Sequence, residues 1–152
     1  YALAYDARGH GDSAWSEQGD YSPDALMGDL HQVVSGLSRP PVLVGASMGG
    51  LTSMVALGEA DRDFASALVL VDIAARRESA AQRIRVPTLL VRGGSSDVVS
   101  PEGARALQNL IPHAELADVA EAGHMVAGDR NDLFSEAVID FLHRHVPPNT
   151  GD

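Results

Sequence analysis

The sequence has no cysteine, few aromatic residues and no long hydrophobic run, and the first and last of these absences each exclude a class of protein. Without cysteine in its 152 residues, the chain can form no disulfide, no cysteine-based zinc site and no thiol nucleophile. Its apolar runs fall far short of the roughly 18 residues that a transmembrane helix needs. A chain without disulfides is compatible with a reducing compartment, so we expect a cytoplasmic protein.

Positive charge is also scarce. The sequence has 11 Lys and Arg against 21 Asp and Glu, for a net charge of −10. This balance disfavours binding to a phosphate backbone, because such binding depends on basic side chains. We therefore expect no nucleic-acid partner and no membrane partner, and we attribute the negative charge to a solvated surface. The sequence gives no sign of an oligomeric state.

Short apolar runs alternate with stretches that suit helices. The runs are nearly continuous rather than alternating with polar residues, and this is typical of strands buried on both faces. They lie at Ala2–Tyr5, Val42–Val44, Ala67–Val71, Thr88–Val91 and, more weakly, Ala114–Val119.

Two helix starts have a serine followed by proline, at Ser22-Pro23 and Ser100-Pro101, a pattern typical of a cap and first helical position. A last helix is predicted over Asp132–His145, which has one apolar stripe. Together the elements predict an α/β fold, with an open, mostly parallel sheet and helices on both faces.

Residues 45–49 have the pattern G-x-S-x-G between an apolar run and a predicted helix. A serine at such a turn projects its hydroxyl outward and needs small neighbours. The backbone N–H of Met48 would face the same space and could stabilise an oxyanion. A phosphate-binding loop would require lysine where Leu51 stands. The motif therefore indicates that Ser47 is a nucleophile.

A serine nucleophile needs a histidine from the carboxyl end of another strand. His124 follows a predicted strand and lies in a loop of small residues, so it is the preferred base, with His10 as the second choice. The remaining histidines are predicted within or at the end of helices, or before a strand: His31, His113, His143 and His145.

The third partner should be a carboxylate that orients the imidazole. Asp97 follows the Thr88–Val91 run in a loop rich in glycine and serine, and Asp72 directly follows Ala67–Val71. Both fit the chain order Ser, Asp, His. We favour Asp97 because its flexible loop could reach the histidine, and we keep Asp72 as the alternative.

Four segments resemble the motifs of the α/β-hydrolase superfamily, in the order that the superfamily has them. Asp6–Ser13 resembles the turn after its fourth strand, Gly45–Gly50 its nucleophile elbow, Val86–Val99 its acid-bearing strand and loop, and Ala122–Asp129 a histidine loop. The last is similar to that of a bacterial branch described as esterase, epoxide-hydrolase-like or cofactor-free peroxidase. The resemblance implies a bacterial serine hydrolase whose triad is Ser47, Asp97 and His124.

The same resemblance leads us to expect a partial chain. In the superfamily a loop after the third strand supplies a second oxyanion donor, but this chain starts at the fourth strand. A helical cap usually follows the strand that here ends before Asp72, whereas residues 75–84 have room for one short helix at most. We expect residues 1–146 to form an incomplete core, with the cap reduced or missing near residues 74–75. Residues 147–152 form a polar tail, and such a chain would retain little activity.

The predicted function is cleavage of a small ester or related acyl substrate through an acyl-enzyme. The alternatives are a cofactor-free perhydrolase or C–C hydrolase with the same triad, and a binding protein that holds a small ligand without catalysis. The resemblance implies no cofactor. Asp6, His10 and Asp12 crowd one turn, but a glycine-rich bend with capping aspartates explains them better than a metal site.

Overall fold

The computed structural model describes residues 1–74 and 76–147, and in these residues four parallel strands form one sheet. The strands lie side by side in chain order: β1 (Val42–Ala46), β2 (Ala67–Val71), β3 (Thr88–Gly93) and β4 (Glu115–Val119). All three neighbouring pairs are parallel, so the four carboxyl ends meet at one edge. The predicted parallel sheet is confirmed. Ala75 and most of the predicted tail, residues 148–152, lie outside the described residues.

In the described residues, one helix precedes the first strand, three connect the strands and two follow the last strand. They are α1 (Pro23–Ser35), α2 (Met48–Glu59), α3 (Glu78–Ala81), α4 (Pro101–Leu110), α5 (Val126–Asp129) and α6 (Asn131–His145). Both predicted serine caps are confirmed. Ser22 Oγ accepts a hydrogen bond from the Ala25 N–H at 3.2 Å, and Ser100 Oγ accepts one from the Gly103 N–H at 3.1 Å. These bonds satisfy N–H groups that a helix start leaves unpaired.

The core occupies both faces of the sheet, as the continuous apolar runs predict. Along β2, Leu68 and Leu70 pack into a cluster with residues of α1, α2, α3 and α4. The intervening Val69 and Val71 pack into a second cluster, which includes Phe141 of α6. Successive side chains of a strand point to opposite faces, so β2 is buried from both sides.

One predicted strand is not formed. Ala2–Tyr5 lies in a segment, residues 1–22, that has turns and bends but no strand. A strand is stabilised by exchanging backbone hydrogen bonds with a neighbour, and the edge strand β1 pairs with β2 alone. The segment is instead tied to α1 by a bidentate ion pair, in which Arg8 Nε and a terminal nitrogen each lie 2.6 Å from the Asp29 carboxylate.

The edge strand β1 is less covered than its neighbours. Leu43 is buried, whereas Val44, whose side chain points to the other face, is 55% exposed. The cluster on that face is centred on β2, β3 and α6, so it does not extend over the middle of β1. The result is an apolar surface beside the strand that leads into Ser47.

The last helix is fixed against β4 by its final turn. Glu115 of β4 forms an ion pair with Arg144 and a hydrogen bond with Nε2 of His145, and the hydrogen bond from His145 is the main reason that the pKa of the Glu115 carboxyl lies below its usual value. Among the helices of the described residues, none has the length and apolar character needed to span a bilayer.

Candidate active site

Ser47 lies at the turn between β1 and α2. Its backbone has φ 48° and ψ −116°, a conformation that residues other than glycine rarely adopt. The turn is held against the next strand by a hydrogen bond from the Ser47 N–H to the Val71 carbonyl oxygen at 3.1 Å. The side chain is exposed, so its hydroxyl is accessible at the carboxyl edge of the sheet. The predicted strand-to-helix turn is confirmed.

Two glycines allow the chain to make this turn. A Cβ atom on Gly45 would lie 2.5 Å from the carbonyl carbon of Gly49, and one on Gly50 would lie 2.6 Å from the Gly45 carbonyl oxygen. Both distances are impossible for real side chains, because the atoms they would meet belong to the backbone. Gly49, by contrast, would meet nothing within 4 Å. The steric requirement therefore falls on Gly45 and Gly50 rather than on the last glycine of the motif.

Asp72 follows β2, the strand next to β1, and its carboxylate is fully enclosed. The side chain is 0% exposed, and its backbone has φ 49°, which aspartate tolerates better than most residues. Oδ1 accepts a hydrogen bond from the Gly93 N–H at 3.0 Å. Oδ2 accepts one from Ser96 Oγ at 2.6 Å and lies 2.7 Å from Nδ1 of His124.

His124 lies in the loop between β4 and α5, and its side chain is 29% exposed. Carboxylate oxygens accept hydrogen bonds, so Nδ1 carries the hydrogen and donates it in a hydrogen bond to Asp72 Oδ2. In the neutral imidazole Nε2 then has the free lone pair and can act as a base. The loop is itself held in place: the Gly123 N–H donates to Asp129 Oδ2 at 2.9 Å, and the Ser95 N–H donates to the Ala122 carbonyl oxygen at 2.8 Å.

Gly93 at the end of β3 permits the close approach of the histidine loop. A Cβ atom there would lie 2.1 Å from the Gly123 carbonyl oxygen and 2.8 Å from that of Ala122. Gly93 also donates its N–H to Asp72. Sequence reasoning missed this residue, although a glycine at the end of a buried strand is a signal of close backbone approach.

The structure pairs His124 with Asp72 and does not bring Asp97 to it. Asp97 is exposed in the loop after β3, and among the described residues no hydrogen bond joins it to His124. The reason lies in Arg92, which ties both ends of that loop: Nε donates to the Val99 carbonyl oxygen at 2.8 Å and a terminal nitrogen to that of Gly94 at 3.3 Å. In the loop held this way, Ser96 faces Asp72.

The other histidines have separate surroundings. His113 bonds to the Val86 carbonyl oxygen at 2.9 Å, just before β3 and so at the opposite edge of the sheet. His31 packs on Phe64, with ring centroids 4.6 Å apart. His10 lies in an exposed turn with Nδ1 3.1 Å from the Arg8 carbonyl oxygen.

The turn around Asp6 is built on internal hydrogen bonds, since Asp6 Oδ2 accepts from the Asp12 N–H at 3.0 Å. Within residues 1–74 and 76–147, no three His, Asp or Glu side chains are grouped in a way that could hold a metal ion. A cavity of about 910 Å³ lies between α1 and the segment after α2. Its lining includes Pro40 and Phe64, which precede β1 and β2, so it is at the edge of the sheet opposite Ser47.

The chain resembles known proteins over most of its length. The model of the alpha/beta hydrolase family matches residues 1–81. A polyketide synthase of Burkholderia thailandensis is 36% identical over 117 residues, which are 75% of this chain and 5% of the synthase. An esterase of Mycobacterium tuberculosis is 42% identical over 93 residues, which are 60% of this chain and 30% of the esterase. The chain thus spans under a third of either relative.

Solved structures show the same fold. A hydrolase from Thermoplasma acidophilum, described as a predicted CIB-like hydrolase, matches with a TM-score of 0.81 and 26% sequence identity. The match covers 91% of this chain and 70% of that one. The four-stranded sheet and its helices therefore correspond to a large part of a complete, experimentally determined structure.

Proposed function

Because the chain belongs to the alpha/beta hydrolase family, we propose that it is a serine hydrolase which cleaves an ester or related acyl bond of a small molecule. The observation that carries the proposal is the placement of Ser47. It lies on a strained, exposed turn at the end of β1, and the next strand along the sheet ends in Asp72, which is bonded to His124. Nucleophile, base and carboxylate thus come from three strand ends at one edge of the sheet.

In the proposed reaction, Ser47 Oγ attacks the substrate carbonyl carbon while Nε2 of His124 takes the hydroxyl proton. The imidazolium that forms is stabilised by the Asp72 carboxylate on Nδ1. His124 then gives the proton to the leaving group as its bond to the acyl carbon breaks. In the second half, Nε2 takes a proton from a water that attacks the acyl carbon, and this proton passes to Ser47 Oγ as the bond between Oγ and the acyl carbon breaks. The Met48 N–H, at the first residue of α2, is the proposed donor to the oxyanion, where the helix N-terminus also favours negative charge.

We propose Asp72 as the acid in place of Asp97, which the sequence favoured. Asp72 already makes the bond that the mechanism needs, at 2.7 Å and with a carboxylate shielded from water. Low local dielectric strengthens such a bond relative to one in solvent. Asp97 would have to turn from its exposed position to make the same contact.

The relatives support an acyl substrate without defining it. The Mycobacterium tuberculosis relative is an esterase and is 42% identical over the matched residues. Its matched part is only 30% of its length, so the chemistry of this chain rests on its own residues. Nothing in the site favours perhydrolysis or C–C hydrolysis over hydrolysis of an ester.

The proposal is tested by labelling with a fluorophosphonate, which reacts with activated serines. We expect the protein to be labelled and to hydrolyse p-nitrophenyl acetate, and the Ser47→Ala variant to do neither. Ser95→Ala is the matched control, because Ser95 is also an exposed serine in a loop at this edge, and its backbone hydrogen bond to Ala122 does not involve the side chain.

Two results would contradict the proposal. Labelling that persists in Ser47→Ala would show that another residue is the nucleophile. A folded wild-type protein that is not labelled, yet is stabilised against heat by small esters, would favour a binding protein without catalysis.

A further inference from the structure

We propose that Ser96 is a positioning residue, whose hydroxyl fixes Asp72 as the hydrogen-bond acceptor for His124. This inference rests on the proposed function, since it concerns the same pair of residues. The expected triad does not include Ser96, which lies in the segment Val86–Val99 beside the acid that the sequence favoured.

The hydrogen bonds that the Ser96 hydroxyl accepts determine where its proton points. A serine hydroxyl can accept two hydrogen bonds and donate one. Ser96 Oγ accepts from the N–H groups of Val98 and Val99, both at 3.2 Å. Its only proton is therefore directed at the remaining neighbour, Oδ2 of Asp72, at 2.6 Å.

This donation determines what Asp72 can do. The Asp72 carboxylate accepts a hydrogen bond from Ser96 on Oδ2 and one from the Gly93 N–H on Oδ1, so it acts as an acceptor on both oxygens. Nδ1 of His124 must then also donate to Oδ2, which leaves the lone pair of the neutral ring on Nε2. Ser96 thus selects the tautomer that the mechanism needs.

Hydrogen bonds from Arg92 hold the loop that carries Ser96. Arg92 is buried at 7% exposure, and its guanidinium donates to the carbonyl oxygens of Gly94 and Val99, one on each side of Ser96. A third bond joins Arg92 to Asp118 of β4 at 3.1 Å. Because both ends of the loop are held, the hydroxyl is directed at Asp72 before any substrate binds.

The first test compares Ser96→Ala with Ser95→Ala and Ser96→Thr. Loss of a hydrogen bond to a charged group is expected to slow fluorophosphonate labelling of Ser47 about 10-fold. For p-nitrophenyl acetate, we expect kcat to fall while KM changes little, because the effect is on the base and not on binding. Ser95→Ala should stay within about twofold of wild type. Ser96→Thr, which keeps the hydroxyl, should recover most of the rate.

The second test does not depend on activity. It follows the Nδ1 proton of His124 by NMR. We expect a signal from this proton in wild-type protein and its loss or broadening in Ser96→Ala. A carboxylate that is free to rotate protects the proton less well against exchange with water. The signal should persist in Ser95→Ala and Ser96→Thr.

The outcomes separate the two proposals. If wild-type protein is not labelled at Ser47, the proposed function fails, while the NMR comparison still decides the role of Ser96. The inference is overturned if Ser96→Ala and Ser95→Ala have the same Nδ1 signal. It is also overturned if threonine restores neither the signal nor the rate, because a hydroxyl at position 96 would then not be what supports the pair.

Discussion

The turn after β2 and the loop after β3 each carry an aspartate near the carboxyl edge of the sheet, and they differ in almost every other respect. Asp72 directly follows its strand, has a left-handed backbone and is buried. Asp97 comes four residues after the end of its strand and is exposed. The carboxylate of Asp72 has three hydrogen-bond partners, two from the end of β3 and its loop and one from the histidine loop.

The difference shows that length and flexibility of a loop are poor guides to which side chain reaches a site. The loop after β3 was expected to be flexible enough to reach His124, but Arg92 holds both of its ends by hydrogen bonds. In the turn after β2, the first residue, Asp72, is already bonded to the histidine. The loop still contributes, through Ser96, to the orientation of the carboxylate next to it.

The largest expected effect comes from replacing Asp72 by asparagine, and the same substitution at Asp97 is the comparison. Asp72→Asn keeps the shape and tolerates the left-handed backbone, but places an amide where the imidazole needs a carboxylate. We expect kcat for p-nitrophenyl acetate to fall on the order of 10,000-fold. Asp97→Asn should lower it less than about tenfold. Unfolding in urea, followed for both variants, checks that they are folded under the assay conditions.

The opposite ranking would break the comparison. If Asp97→Asn abolishes turnover while Asp72→Asn remains active, then Asp97 is the acid, as the sequence favoured, and the loop after β3 rearranges to bring it to His124.

A smaller effect is expected from Gly93→Ala, which acts on the loop that holds His124. The new methyl group would overlap the Gly123 carbonyl oxygen, so the histidine loop must move away. We expect a loss of about 3 kcal/mol in the free energy of unfolding and about 100-fold slower labelling of Ser47, because catalysis tolerates little displacement. Urea unfolding and the labelling rate measure the two effects.

Gly103→Ala is the matched control for that substitution. Gly103 lies in α4, where a Cβ atom would meet only ordinary contacts at 3.6 Å or more. It should raise stability by roughly 0.5–1 kcal/mol and leave labelling unchanged. Equal losses in both variants would show that the close approach at Gly93 does not matter to the site.

The smallest effect is expected from Ser100→Ala, at the far end of the loop after β3. Its hydroxyl caps α4 by accepting from the Gly103 N–H, so its loss should lower the free energy of unfolding by about 1 kcal/mol. Thermal unfolding measures this change. The labelling rate should stay within about twofold of wild type, in contrast to Ser96→Ala. A large loss of labelling would mean that the whole loop, rather than the one hydroxyl, supports the site.

Most of the fold could be predicted because its signals are local. The strand Ala67–Val71 was predicted with the bounds that it has, and α1 and α4 begin where serine and proline indicate. The strand predicted at Ala2–Tyr5 was wrong, because apolar residues favour a strand only where a neighbouring strand can pair with it. Pairing depends on which strands lie side by side in the sheet, and a local sequence pattern does not specify this.

The candidate site also has parts that local sequence predicts and parts that it does not. The turn at Ser47 could be predicted because glycine, serine and glycine at fixed spacing have a local steric cause. The contact between Asp72 and His124, 52 positions apart in the sequence, depends on the order of strands and on which loop is fastened. Ser96 was missed for that reason, whereas Gly93 was missed although its place at the end of a buried strand was a local signal. Their importance comes from neighbours that other parts of the chain supply.

The backbone of Ser47 also has an evolutionary consequence. A residue with a side chain in such a conformation costs on the order of 1–3 kcal/mol, and glycine would avoid most of that cost. Under the proposed function, the chemistry of the hydroxyl is what offsets this cost at position 47. In a descendant that lost the chemistry, drift would favour glycine there without loss of the fold. A glycine at the equivalent position of a related sequence would identify a protein kept for binding or architecture rather than for turnover.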